Sequence, residues 1–285
     1  MVNLPKVSVI IPANNEQESV GDCIESLIEQ TYSNLEILAV DDGSSDKTVD
    51  RIKQLIKRDN HIRVYRQPHQ GPGVARNLGS KYARGEILVF VDADMTFDKQ
   101  FIQDLIQPIL DGKIIGTDSQ NEFLLNKDNY WALCWNMGRF ATAGIYSMAY
   151  KSSMIPRKSR YGMIYRAILR EEFERVGGFD SGGDYRDDES LARKLGRKAL
   201  SVKGAKFYHR NPENLMEVWN RASWIGASKD FTRGTGRKLI NLLKFFPLMA
   251  PIKSVAIAVH FRYPSFILFK TVYDAAIWTA ILKTL

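Results

Sequence analysis

Asp92 and Asp94 stand two positions apart where the apolar run Ile87–Val91 ends. Mg2+ and Mn2+ are hard ions that take oxygen ligands, and they are commonly held by one or two carboxylates while substrate phosphates complete the shell. An Asp-x-Asp pair at a strand terminus supplies such a partial shell. A second acidic cluster, Asp187-Asp188-Glu189, precedes Ser190-Leu191-Ala192-Arg193. A carboxylate there can act as a general base, a role that contributes on the order of 10² to 10⁴ in rate. It can equally complement a helix N-terminus, at about 0.3–1 kcal/mol per acid. Asp188 is the stronger base candidate, because Asp187 beside it raises its pKa by like-charge repulsion and is itself placed to hydrogen-bond a substrate. His209 follows the strand-like run Ser201–Tyr208, and its neutral imidazole is either a further manganese ligand or a structural side chain. Asp92-Ala93-Asp94-Met95-Thr96 also satisfies the Asp-x-Asp-x-Thr pattern of haloacid-dehalogenase-type phosphatases, with Asp187-Asp188 as a distal acid pair. Those enzymes usually carry that motif after the first strand, whereas here it follows the fourth.

These side chains need elements to place them. The apolar runs Val7–Ile11, Leu35–Val40, Ile62–Tyr65 and Ile87–Val91 alternate with helical segments, the first marked by Val20, Ile24, Leu27 and Ile28 at three- and four-residue spacing. Near-continuous apolar strands joined by helices predict an α/β fold with a mostly parallel sheet flanked by helices. Ligands of such sheets sit at the carboxyl ends of the strands. The strand ends read Pro12-Ala13-Asn14-Asn15-Glu16, then Asp41-Asp42-Gly43-Ser44-Ser45-Asp46, then Gly71-Pro72-Gly73-Val74-Ala75-Arg76-Asn77, then Asp92-Ala93-Asp94, so four polar loops are expected to face one crevice. Taken alone, Asp42–Asp46 could be a turn and a helix N-cap. A dinucleotide-binding dehydrogenase is excluded, because no Gly-x-Gly-x-x-Gly follows the first strand.

With 285 residues and 45% hydrophobic content, the chain can bury a substantial core. No basic stretch and cleavage site precede the short first apolar run, so a secretory leader is not expected. Cys23 and Cys134 form neither a disulfide framework nor a Cys-x-x-Cys pattern, which fits a reduced, cytoplasmic protein. Of the formal charge of +8, most belongs to residues 231–285, where eight Lys or Arg face the single acid Asp274. Nucleic acid is not an expected partner, since zinc-finger, basic-zipper and RNA-binding signatures are lacking.

The four pieces Val7–Glu16, Val40–Thr48, Gly71–Gly79 and Phe90–Asp94, in this order and spacing, resemble the nucleotide-binding half of the family-2 glycosyltransferases, which share the A-type glycosyltransferase fold. The resemblance spans residues 6 to 210. It implies an inverting, nucleotide-sugar-dependent hexosyltransferase that uses Mn2+ or Mg2+, with Asp94 ligating the metal and Asp92 nearer the ribose or the metal's waters. It also places Pro12, Ala13 and Glu16 beside the nucleoside, with Asp42 accepting the imide N–H of a uracil, so that UDP is favoured over GDP. Asn14, Asp41, Gly71 and Ala93 complete this pocket, and Arg76 approaches the nucleotide or diphosphate unless it pairs with Asp92 or Asp94. Val176-Gly177-Gly178-Phe179-Asp180 and Asp187-Asp188 resemble the acceptor-side motifs, with Gly178 and Phe179 as acceptor contacts. The family's usual second helix acid is replaced by Ser190. A phosphate-terminated acceptor, as in polyprenyl-phosphate sugar synthases, would need a base less and cations more. Residues 151–170 hold Lys151, Arg157, Lys158, Arg160, Arg166 and Arg170 with no acid, and their Ser- and Pro-containing part reads as a loop that orders on substrate binding or stays a solvated surface. Trp219–Trp224 departs from the Gln-x-x-Arg-Trp signature of processive synthases, which favours single-sugar transfer to a glycan or lipid-linked acceptor. A non-catalytic nucleotide-sugar binder is the remaining reading.

The expected organisation is a catalytic domain over residues 1–232, with a nucleotide-binding half at 1–118 and an acceptor-binding half at 119–232, followed by a basic amphipathic tail at 233–285. In the tail, Leu239, Leu242, Leu243 and Phe246 form one helical stripe, and Phe266, Phe269, Tyr273, Ala276, Ile277 and Ala280 form another. A span needs about twenty mainly apolar residues, and windows of that length here carry Lys253, Arg262, Lys270 or Asp274. The balance favours helices lying in the headgroup plane of the cytosolic membrane face, with a domain-closing role or a homo-oligomer interface as the alternative.

Overall fold

The computed structural model of the chain describes residues 4–142, 154–156, 161–182 and 187–285. The order is β1 (Val7–Ala13), α1 (Val20–Ile28), β2 (Leu35–Asp42), α2 (Thr48–Ile56), β3 (Ile62–Gln67), α3 (Pro72–Tyr82), β4 (Ile87–Phe90), β5 (Met95–Phe97), α4 (Phe101–Leu110) and β6 (Gly116–Leu124). There follow α5 (Tyr130–Thr142), β7 (Met154–Pro156), β8 (Tyr161–Gly162), β9 (Ala167–Leu169), α6 (Arg170–Arg175), α7 (Ser190–Leu195) and β10 (Ala199–His209). The remaining helices are α8 (Leu215–Ala227), α9 (Lys229–Thr232), α10 (Thr235–Lys244), α11 (Ala250–Phe261) and α12 (Ser265–Leu282). Two compact units form, one from Met1–Phe123 with Pro156–His209 and the other from Leu124–Ile155 with Arg210–Leu285.

The sheet of the first unit runs β3-β2-β1-β4-β9-β6-β10-β5. β3, β2, β1 and β4 are mutually parallel, whereas β9 lies antiparallel between β4 and β6, and β5 is antiparallel to β10. This is the expected α/β architecture, with the parallel half built by the β-α-β-α-β-α-β succession. Side chains alternate across the sheet because a strand has a period of two. Val7, Val9 and Ile11 of β1 and Ile87, Val89 and Val91 at β4 pack with α1 and α4. Ile10, Leu88 and Phe90 point to the other face and pack with Phe173, Phe179 and Leu191. Both faces are covered, which accounts for strands that are apolar throughout.

In the second unit, α12 packs on α8, α11 and α5. Its buried side includes the predicted Phe266, Phe269, Ala276, Ile277 and Ala280. The same side carries Asp274, fully buried and paired with Lys270, whose ammonium lies 5.4 Å from the Tyr273 ring centre. The stripe predicted around Leu239 and Leu243 is helical but remains exposed.

Candidate active site

The ends of β1 and β2 are tied together by their own loop residues. Asn14 donates to the Asp42 carbonyl at 2.7 Å, the Ser45 N–H donates to Asn15 Oδ1 at 2.9 Å, and the Glu16 N–H donates to Thr48 Oγ1 at 2.8 Å. Pro12 and Ala13 are buried at the last positions of β1, beside Val40 and Asp41 of β2. Asp41 accepts from the Ser44 N–H and from Arg66 Nε at 3.2 and 3.1 Å.

Asp42 has the fuller set of partners. Its Oδ1 accepts from Gln67 Nε2 at 2.6 Å and the Gln70 N–H at 2.9 Å, and its Oδ2 meets the Gly71 N–H and His69 Nδ1, both at 2.9 Å. A carboxylate offers about four acceptor positions, so the protein itself supplies a donor for each. Asp42 therefore anchors the loop that opens α3, where Gly71 adopts φ 97°. A nucleobase imide would have to replace Gln67 or His69, the two side-chain donors.

α3 brings Arg76 to the end of β4, where Nη2 bonds Asp92 Oδ1 at 2.6 Å and the guanidinium lies 5.5 Å from the Phe179 ring centre. Of the two partners weighed for Arg76, Asp92 is the one it takes. Ala93 is buried between the two aspartates. Asp94 has a different partner. The pairing of β5 with β10 sets His209 opposite Met95, and His209 Nε2 comes within 3.2 Å of Asp94 Oδ2. Among the described residues no group of three or more His, Cys, Asp or Glu surrounds one point. Two ligands adjacent on an octahedral ion, each at about 2.1 Å, lie about 3 Å apart, so Asp94 and His209 match the spacing of two such ligands. Their donor set, one carboxylate and one neutral imidazole, leaves room for the phosphate oxygens that Mg2+ and Mn2+ prefer.

The acidic cluster reaches the same place from a distant part of the chain. Asn77 on α3 both donates to the Phe179 carbonyl at 3.0 Å and accepts from the Phe179 N–H at 2.9 Å. Ser190 Oγ accepts from the Asp180 N–H at 3.1 Å and donates to the Asp187 carbonyl, clamping the glycine turn onto the 3-10 turn Asp187–Glu189. The residue that replaces the family's acid thus holds the cluster in place. Asp188 then lines one cleft with Arg76, Asp92, Arg166, Phe90 and Phe179. Burial, aided by Asp92 and Glu189, pushes the Asp188 carboxyl above its ordinary value, and Arg76 and Arg166 only partly oppose this.

Gly73 permits this approach. A Cβ there would lie 2.7 Å from the Asp180 carbonyl oxygen and 2.8 Å from Asp187 Oδ2. Alanine is favoured over glycine by about 1 kcal/mol inside a helix, but overpacking against backbone costs about 1–3 kcal/mol. Gly73→Ala is therefore expected to destabilise the fold by up to about 2 kcal/mol in urea melts and to slow turnover. An unchanged melt would show that the loop yields freely.

Arg166, named only as one of the cations of the 151–170 stretch, lines the cleft, and among the described residues of that stretch it is the cation that does so. Its N–H donates to the Thr117 carbonyl and its carbonyl accepts from the Phe90 N–H, so it spans β6 and β4 at their site-facing ends. Its guanidinium lies 4.3 Å from the Phe207 ring centre and 3.5 Å from the buried Asp118. Arg170 requires a correction. β9 runs antiparallel to β4 and carries the chain away from the site, by about 13 Å over four residues at 3.3 Å each. Arg170 therefore sits at the opposite, amino-terminal end of β4, bonding the Ala83 carbonyl and Glu174. Gly178 and Phe179 are buried and act through packing and the Asn77 contacts, although Phe179 does line the cleft. Arg157 and Arg160 lie outside the described residues.

The sequence family described as Glycosyl transferase family 2 matches residues 8–170. An uncharacterized glycosyltransferase of Bacillus subtilis, EpsJ, is 30% identical over 223 residues, covering 75% of this chain and 64% of EpsJ. A Haemophilus influenzae uncharacterized glycosyltransferase is 30% identical over 123 residues, 43% of this chain and 49% of its own. The chain thus spans less than two thirds of the length of these relatives. Among solved structures, the mannosyltransferase PcManGT from Pyrobaculum calidifontis, in complex with GDP-Man and Mn2+, superposes with a TM-score of 0.60 at 18% identity, covering 99% of this chain and 88% of that one. Staphylococcus aureus TarS 1–349 in complex with UDP-GlcNAc gives a TM-score of 0.54 at 16% identity, covering 92% and 90%. At these identities the likeness is one of fold.

Proposed function

The chain belongs to glycosyltransferase family 2, and on that premise we propose that it transfers a single sugar, with inversion, from a uridine-linked nucleotide donor to a glycan or lipid-linked acceptor at the cytosolic face of a membrane. One observation carries the reading: Asp92, Arg76, Arg166 and Asp188, from four separate segments, share one cleft at the carboxyl ends of the strands. A phosphatase does not fit a chain of this family, in which the Asp-x-Asp pair follows the fourth strand.

Asp188 takes the proton of the acceptor hydroxyl. The acceptor oxygen then forms the new bond to the anomeric carbon as the bond to the donor's diphosphate breaks, its electron pair leaving with the diphosphate. Asp94 and His209 are the residues that would hold Mn2+ or Mg2+, which supplies Lewis-acid stabilisation of the charge growing on that leaving group. Arg76 keeps Asp92 oriented and lies within reach of the same diphosphate. Pro12, Ala13, Asn14, Glu16, Asp41 and Asp42 form the nucleoside end.

Arg166 favours a second reading, in which the acceptor ends in phosphate. A buried guanidinium beside Asp188 suits an anionic acceptor oxygen, which needs no base. The two readings separate in one experiment that follows release of nucleoside diphosphate with Mn2+, using either polyprenyl phosphate or neutral glycans as acceptor. Thermal-shift measurements with UDP, GDP and their sugars accompany it, and UDP compounds are expected to raise Tm most. A larger shift with GDP compounds would overturn the uridine assignment, and no shift with any of them would overturn the donor chemistry.

A further inference from the structure

α11 carries two stripes of opposite environment and nearly the same chemistry. Ala250, Ser254, Ala258 and Phe261 are buried against the unit, while Ile252, Val255, Ala256 and Val259, on the reverse side, face outward. An ordinary surface helix places polar residues there. Leu248 and Met249 of the 3-10 turn Pro247–Met249, and Leu239, Ile240 and Leu243 of α10, are exposed as well. Leu243 is 77% exposed, Leu248 76% and Val259 71%. Scattered exposed aliphatics are normal on a soluble protein, but so many along two successive helices mark an interaction surface.

The charges carried by α10 and α11 themselves have one sign, the nearest acid along the chain being Asp230 of α9. Arg237, Lys238, Lys244, Lys253 and Arg262 lie along the same two helices and their ends, and the only acid in residues 231–285, Asp274, is buried in its pair with Lys270. The exposed charge of this segment is therefore entirely positive.

We propose that the outward face of α10 and α11 docks on an anionic phospholipid bilayer, its aliphatic side chains entering the boundary between headgroups and acyl chains while its basic residues meet lipid phosphates. Charge complementarity selects this occupant, because an apolar face on helices whose own charges are all cations matches an anionic leaflet. The attachment is peripheral. Thr235–Phe261 and Ser265–Leu282 are long and apolar enough to cross a membrane by length and composition alone. The first is broken into α10 and α11 around Pro247, however, and the second, α12, spends its buried side on α8 and carries the Lys270–Asp274 pair. This inference is independent of the donor and acceptor assignments, since binding to vesicles is read without turnover.

The test uses the full chain and flotation with vesicles of phosphatidylglycerol and phosphatidylcholine at about 1:1, compared with phosphatidylcholine alone. The protein is expected to float with the anionic vesicles and to leave them as salt approaches about 1 M. Ile252→Glu with Val259→Glu, both at exposed positions, is expected to cut the bound fraction more than about tenfold with Tm unchanged. If that variant melts lower, Arg237→Gln with Lys244→Gln provides the check, and it should abolish the preference for anionic vesicles. Failure of the wild type to float, or equal flotation of wild type and variants, overturns the proposal. So does a dimer in sedimentation equilibrium that the aliphatic variant dissociates, because a second copy would then cover the face. Retention in membranes after alkaline carbonate extraction also overturns it, in favour of a span.

Discussion

Asp188→Asn is expected to lower turnover by on the order of 10² to 10⁴ while leaving nucleotide-sugar affinity unchanged. The asparagine keeps the size and one acceptor oxygen of the side chain but cannot take a proton. The native carboxyl is held above its ordinary range, chiefly by burial, so the acid limb of the pH-rate profile should lie at higher pH than an exposed aspartate would give. The same shift has a consequence for stability. With its folded pKa above its unfolded one, Asp188 contributes most at pH below the unfolded value, and that contribution is lost as pH rises through the folded value. At neutral pH the charged side chain is a net cost. Asp188→Asn should therefore melt at a slightly higher temperature than the wild type although nearly inactive, a combination that a structural helix-capping role would not produce. Loss of stability with activity retained would remove the base assignment, and full activity with a polyprenyl phosphate acceptor would support the phosphate reading.

The second large effect is expected at Asp94. Asp94→Asn should abolish the enhancement of nucleoside diphosphate binding by Mn2+ in isothermal titration and cost on the order of 10² to 10³ in turnover, the range found when a group stabilising transition-state charge is removed. His209→Gln should weaken the same enhancement less, because the carboxylate remains. If Asp94 and His209 are only a structural pair at 3.2 Å, the outcome is different: Tm falls in both variants and nucleotide binding is equally indifferent to Mn2+ in all three proteins. Arg76 sharpens the comparison. Because it already pairs with Asp92, Asp92→Asn should leave Arg76 without its counter-charge and shift donor affinity even without metal.

Much of the fold could be read along the chain, because it rests on short-range periodicity. Val7–Ile11, Leu35–Val40, Ile62–Tyr65 and Ile87–Phe90 lie in strands, and Val20, Ile24 and Leu27 of α1 and Phe266, Phe269, Ala276, Ile277 and Ala280 of α12 face inward, as burial of one face of a helix requires. Ile28, expected on the same stripe at the end of α1, is exposed instead. The four polar loops also lie at the carboxyl ends of their strands, since parallel strands joined by helices allow no other placement. Arg170 marks the limit of such reading. It belongs to a cationic run with no acid, and only the antiparallel insertion of β9 between β4 and β6 decides that Arg166 enters the cleft while Arg170 is carried to the far end of the strands.

Residue types and local spacing alone determined the parallel half of the sheet, the polar strand ends, the helical tail and its excess of positive charge. The tertiary structure alone decided the partners: Asp42 saturated by the end of β3 and the loop that opens α3, Asp92 held by Arg76, Asp94 set against His209 by the pairing of β5 with β10, and Asp188 brought to Arg166 through Ser190 and Asn77. It also decided which side of the tail stays outside. The physical reason is common to all of these. Hydrophobic periodicity acts over three or four residues and repeats along an element, whereas a carboxylate's partner is whichever donor the sheet order delivers, here as much as 115 residues away along the chain, between Asp94 and His209.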